Sequence, residues 1–193
     1  MMAGCAAAQV AKACAPHSVL LTDNQPDAID NATHNVEANG LAPDGTPAVA
    51  VEHLDWASAA SLAGAADDGA PPALSRRLLD TDTILAADVT YDPAACKILA
   101  ACIRALLFLR GQDLTRCAPV AYLAAQIRNP LTWDAFVSEF ASFERTAPTA
   151  DLPAAQLHID EVPMHGHQLA EGPREGQLRI VRIGTWASLA SVT

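Results

Sequence analysis

Short apolar runs along this chain alternate with segments whose apolar residues recur every three or four positions, the pattern of strands alternating with helices. Ser18–Thr22 (SVLLT) is an apolar run that stops at Asp23, as a buried parallel strand would. Pro26 then suits the first turn of a helix whose stripe is Ala28, Ile29, Ala32 and Val36, with Gly40 closing it. Ala48–Leu54 (AVAVEHL) reads as a second strand, and Thr83–Ala87 (TILAA), running into Asp88, as a third. Asp92 and Pro93 make an N-cap and first helical residue for a helix carrying Cys96, Leu99, Cys102, Ile103 and Leu106. Val120–Ile127 is a further strand, and Thr132 is expected to cap a helix bearing Trp133, Phe136, Val137 and Phe140. Ala6–Ala13 reads as a helix ended by Pro16, and residues 63–80, rich in Gly, Pro and charge, as a loop. Gln156–Val162 and Gln177–Ile183 are two strands with no helical pattern between them, which predicts a hairpin at a sheet edge.

Strand alternating with helix predicts an α/β fold with a mostly parallel sheet covered on both faces. At 193 residues the chain suits a single domain, 1–193. Half of it is apolar, much of that alanine, so the core is expected to be built from small side chains. The net charge of −10 repels phosphate backbones and argues against nucleic acid as a partner, whereas a basic protein segment would be attracted. No stretch is long and apolar enough to span a bilayer. The Ala-rich first fifteen residues lack a basic start and are interrupted by Lys12, unlike a secretory signal. Cys5, Cys14, Cys96, Cys102 and Cys117 are odd in number and match no zinc spacing, so a reducing, cytoplasmic location is expected, with Cys96 and Cys102 as small core residues.

Open α/β sheets bind ligands at the carboxyl ends of their strands. Three strands end in an acid here: Asp23, Asp55 and Asp88. One carboxylate can accept both hydroxyls of a ribose and another the amino group of adenine, while Trp56, directly after Asp55, can cover the ring. Each acid alone reads more simply as a cap or turn residue; three at strand ends point to a nucleoside site. His165 and His167 form an H-x-H pair with no third ligand nearby, so no metal is expected. His34 is expected to face solvent, and Trp133, Phe136 and Phe140, at helical spacing, to be core. Trp186 is expected to pack the last strand.

The stretches LLTDNQPDAIDNATHNVEANG, VEHLDW, ILAADVTYDP and AYLAAQIRNPLTWDAF, in this order, resemble the eukaryotic seven-β-strand lysine methyltransferases. Asp88-Val89-Thr90-Tyr91 matches that family's D-x-x-Y signature, and Ile127-Arg128-Asn129-Pro130 with Thr132 looks most like its elongation factor 2 lysine methyltransferase branch. The resemblance implies a Rossmann-like seven-β-strand fold with an antiparallel C-terminal hairpin. It also implies S-adenosyl-L-methionine as cofactor and, as partner, a protein substrate with an accessible lysine, elongation factor 2 by the branch, met by a monomeric enzyme. Asp23 then resembles the ribose-binding acid, with Asn24 beside it. Leu54, Asp55 and Trp56 resemble the adenine contacts, and Ala87 borders the same cofactor. Asp88 and Tyr91 resemble the catalytic residues around the methyl group and the incoming lysine. Arg128 and Asn129 read equally as a structural turn and as contacts to the protein substrate.

The family pattern also requires a first strand ending in an acid, followed by a glycine-rich turn through which the backbone approaches the cofactor. Nothing before Ser18 supplies either, and Met1–Cys5 (MMAGC) looks like the end of that turn. The first strand and glycine loop are therefore expected to be missing, leaving two inner strands without a ladder partner. Two other functions fit the same residues: a non-catalytic interaction module that keeps the face around Asp88, Tyr91 and Arg128, and a methyltransferase of this fold acting on a small molecule.

Overall fold

The computed structural model describes residues 16–61, 76–111, 118–141, 157–162 and 177–185. The chain divides into two compact units, Met1–Ser58 and Ala59–Thr193. The helix expected over Ala6–Ala13, Cys5, Cys14, Cys117, the His165–His167 pair and Trp186 lie outside the described residues.

In the first unit, strand β1 (Ser18–Asp23) pairs in parallel with β2 (Ala48–His53), in register from Ser18 opposite Ala48 to Asp23 opposite His53. Parallel strands cannot be joined by a tight turn, and helix α1 (Pro26–Ala38) makes the crossover. Pro26 occupies its first turn, where a missing N–H costs nothing, and the Gln25 carbonyl accepts from the N–H groups of Ala28 and Ile29. Of the expected stripe, Ala32 and Val36 are buried and Ala28 and Ile29 half-buried, against a sheet whose Val49 and Ala50 are buried. Gly40 ends the helix at φ 68°, its N–H donating to Glu37 O (2.9 Å) and that of Leu41 to Val36 O (3.0 Å). A left-handed residue here is what returns the chain, and glycine adopts it without steric cost.

Helix α2 (Trp56–Ser61) spans the division between the units, and α3 (Arg76–Leu79) is a short helix where the sequence reading expected only loop. The second unit holds a four-stranded sheet of β3 (Thr83–Ala87), β4 (Val120–Ile127), β5 (Leu157–Glu161) and β6 (Gln177–Thr185), in the order β3-β4-β6-β5. β3 and β4 are parallel; β6 runs antiparallel to both β4 and β5, so the expected C-terminal hairpin forms. Among the described residues, no strand pairs with the second edge of β1 or of β3.

Helix α4 (Pro93–Gly111) buries Cys96, Leu99, Cys102, Ile103 and Leu106, the stripe read from the sequence. Burial pushes the Cys96 thiol up, with the Asp92 carboxylate adding to the effect, which keeps it a neutral core residue. Helix α5 (Pro130–Ala141) packs against α4 and buries Trp133, Phe136 and Phe140, with Phe136 and Phe140 edge to face at 5.2 Å. Arg104 of α4 ties the two helices, donating to the backbone oxygen of Glu139 at 2.5 Å and to its carboxylate at 3.3 Å. Arg110, buried near the end of α4, pairs with Asp82 just before β3.

The N-cap of α5 is not Thr132. Asn129 holds that place: its Oδ1 accepts the N–H of Leu131 (3.0 Å) and its carbonyl those of Thr132 and Trp133 (both 3.2 Å). Pro130 decides the matter, because its fixed φ starts the helix three residues earlier, and Thr132 is buried inside the first turn. Phe136 is among the largest fully buried side chains of this unit and is in contact with two other rings. Phe136→Ala is expected to destabilise it by about 3–5 kcal/mol, measured by denaturant unfolding of the full chain.

Candidate functional site

The expected site residues fall on two strand-end clusters, one in each unit. In the first unit the ladder continues one bond past β2: Leu54 N–H donates to Asp23 O at 2.9 Å, bringing Asp23, Asn24, Leu54, Asp55 and Trp56 to the carboxyl end of the β1–β2 pair. Asp23 is exposed, and its Oδ1 accepts the Gln25 N–H (2.9 Å), a turn that fixes the carboxylate. Its Oδ2 has no hydrogen-bond partner among the described residues. Asn24 Oδ1 accepts from the Gln25 side chain at 3.1 Å.

Asp55 is fully engaged with the start of α2. Its Oδ1 accepts the Ala57 N–H (3.1 Å), and its Oδ2 accepts the Ser58 N–H (3.2 Å) and hydroxyl (2.8 Å). The Ser58 hydroxyl first, then the Ala57 N–H, hold the Asp55 carboxyl below its usual range. The simple capping role weighed for this acid is therefore realised, with Leu54 buried beside it and Trp56 half-buried. A cavity of about 150 Å³ lies between α1 and the two strands, lined by Leu21, Asp23, Ile29, Asn31, Asn35 and Val51 among others. Of the expected cofactor residues only Asp23 borders it, and it is smaller than the several hundred Å³ usual for a drug-sized ligand.

In the second unit, Ala87 ends β3 and Asp88 follows at φ 54°. Aspartate is one of the few residues that enter the left-handed region, and such conformations concentrate at functional sites. The Asp88 N–H donates to Ala124 O (2.9 Å), which extends the β3–β4 ladder, and its Oδ2 meets Arg128 Nη2 at 3.3 Å. Tyr91 is 70% exposed, and Leu131, at the start of α5, 75%. Asp92 caps α4 as expected, its Oδ1 accepting the N–H groups of Ala94 (2.6 Å) and Ala95 (3.1 Å). Ala87, Asp88, Tyr91, Arg128 and Asn129 thus share the carboxyl edge of β3–β4.

The sequence reading missed the pairing of Arg128 with Asp88. The pairing follows from β3 and β4 being adjacent and parallel, which puts an acid just past one strand end beside a cation just past the next. The exposed Leu131 was missed too; a single apolar residue in a helix's first turn carries no signal of its own. Among the described residues, no group of three or more His, Cys, Asp or Glu side chains could hold a metal, and no helix is long and apolar enough to cross a membrane.

Residues 2–118 match the pattern of the lysine methyltransferase family, and the chain belongs to that family. It is similar to the protein-lysine N-methyltransferase EEF2KMT of Bos taurus, 25% identical over 94% of this chain and 50% of the relative. The human EEF2KMT is 29% identical over 71% of this chain and 39% of its own length. The human putative protein N-methyltransferase FAM86B1 is 28% identical over the same shares. The chain therefore spans half the length, or less, of these curated relatives.

The Asp55 cap has a pH signature. A carboxyl lowered by its partners stabilises the helix start fully above its ordinary value of 3.8, and the contribution is lost as pH falls through the lower folded value. The amide protons of Ala57 and Ser58, followed by NMR, are expected to titrate with a midpoint below 3.8; a midpoint at or above it would refute the cap.

Proposed function

We propose that the chain is a protein-lysine N-methyltransferase that uses S-adenosyl-L-methionine, acts on elongation factor 2, and works as a monomeric single domain in the cytoplasm. The observation that supports this reading is positional: Asp23, Asp55 and Asp88, which resemble residues of the family's site, each lie at the carboxyl end of a parallel strand pair, where such sheets bind their ligands. Family membership and the similarity to EEF2KMT support the methyl-transfer chemistry.

The donor sets fit the two ends of the reaction. Asp23, with one oxygen held by Gln25 and the other without a partner among the described residues, suits the ribose hydroxyls of the cofactor. In the first unit, Leu54, Trp56 and Asn24 would line the adenosine; in the second, Ala87 ends β3 just before Asp88 and is proposed as a cofactor contact of that strand end. Asp55 contributes by fixing the start of α2, which sets the place of Trp56. When bound, the cofactor would supply a sulfonium methyl group for transfer to a neutral amine, which would lose a proton to solvent. Asp88 and Tyr91 orient that amine, and positioning is most of what such a displacement needs. The acidic chain, at −10, draws in a lysine-bearing segment.

Calorimetry with S-adenosyl-L-methionine tests the first half of the reading: binding is expected, and Asp23→Ala is expected to weaken it at least about ten-fold, the scale of a lost charged hydrogen bond. Undetectable binding by the full chain would favour the non-catalytic interaction module. Labelled methyl transfer to purified elongation factor 2, followed by acid hydrolysis, tests the second: methyl-lysine is expected, and its absence rules out lysine as the target.

A further inference from the structure

Arg128 touches the one acid that the methyltransferase reading places beside the incoming amine. The register of β3 on β4, Ala87 opposite Ala124, sets Asp88 level with Ala125, so Arg128 lies three residues farther along, where β4 turns into α5. Both ends of the pair are held from behind. Asp88 is fixed by its left-handed backbone and its ladder bond to Ala124, and Arg128 by the Asn129 cap and Pro130 that follow it. The side chains meet at 3.3 Å while two-thirds exposed, 68% for Arg128 and 66% for Asp88. An ion pair this open to water contributes little to folding. Its place at the site's edge asks for a different role.

We infer that Arg128 is the positioning residue of this edge: its guanidinium aims the Asp88 carboxylate and offsets its charge, so that the target amine is held without being kept as ammonium. The inference rests on the methyltransferase reading above. A lysine amine has a pKa of about 10.4 and must lose its proton before it can attack. An isolated carboxylate beside it favours the charged form and works against that loss, whereas a carboxylate already paired with a permanent cation does so far less. Among the described residues, the other titratable or charged groups that the strand ends bring to this edge are Tyr91 and Asp92 from the β3–α4 loop and Arg179 of β6, opposite Ala125. Asp92 is committed to the N-terminus of α4. The ion pair to Asp88 at this edge is the one made by Arg128.

The test measures labelled methyl transfer from S-adenosyl-L-methionine to purified elongation factor 2 across pH, using the full chain and its R128Q, R128K and D88N variants. R128Q is expected to lower kcat about ten-fold near neutral pH and to move the acid limb of the profile up by about one unit, with KM for the acceptor within about two-fold. R128K, which restores the charge but not the fork, is expected to recover part of the rate. In parallel, the Arg128 side-chain resonance, identified by its loss in R128Q, is expected to shift in D88N by 15N NMR. A rise in KM with kcat and the acid limb unmoved would make Arg128 a contact to the substrate protein and overturn the inference. So would an Arg128 resonance indifferent to D88N. An unsubstituted chain that transfers no methyl group overturns the methyltransferase reading, and this inference with it; failure of the inference alone is told apart by an active unsubstituted chain.

Discussion

Parallel strand pairing is the constraint on which the site depends. Two parallel ladders, Ser18–Asp23 on Ala48–His53 and Thr83–Ala87 on Val120–Ala124, bring strand ends of the same sense side by side. Each ladder runs one bond beyond its strands, through Leu54 N–H to Asp23 O in one unit and Asp88 N–H to Ala124 O in the other. Those two bonds fix the backbone at the points where the chemistry-bearing side chains begin. Slanted, evenly spaced bonds of this kind leave little freedom in register, so residues far apart in sequence meet through main-chain geometry alone.

Several of the candidate site residues also serve the fold, as capping and turn residues do elsewhere in the chain. Asp23 makes a turn with Gln25, Asp55 caps α2, Asp92 caps α4 and Asn129 caps α5. In an α/β fold the carboxyl end of a strand is followed closely by the start of a helix, so an acid or amide there is needed for capping whether or not a ligand binds. A carboxylate at a strand end is weak evidence of function on its own. Asp88 stands apart from the others: it caps nothing, sits in a left-handed conformation, and spends its carboxylate on a cation from the neighbouring strand end.

Much of this was legible in the sequence. The strand runs, the α4 stripe from Cys96 to Leu106, the Gly40 stop and the Asp92 cap all follow from period and local propensity and lie where those rules place them, but β1 and β3, expected to be buried, hold no buried residue. The misplaced cap of α5 shows a limit: Thr132 is a good capping type, but Pro130 determines where the helix starts, and Asn129 in front of it takes the role. The helical turn at Arg76–Leu79 was hidden because its neighbours are rich in Gly and Pro. The partner of Arg128 depends on which strands are adjacent, and the side-chain direction of Asp88 on a single backbone angle; neither is written in any local pattern.

Arg104 gives the arrangement a mechanical side. Asp88 and Arg128 stand at the turns that lead into α4 and α5, and Arg104, past the middle of α4, ties it to Glu139 near the end of α5, its guanidinium also lying 5.9 Å from the Phe140 ring. Arg104 thus joins the two helices that follow Asp88 and Arg128 in the chain, so one guanidinium ties together the elements into which both members of the exposed pair lead.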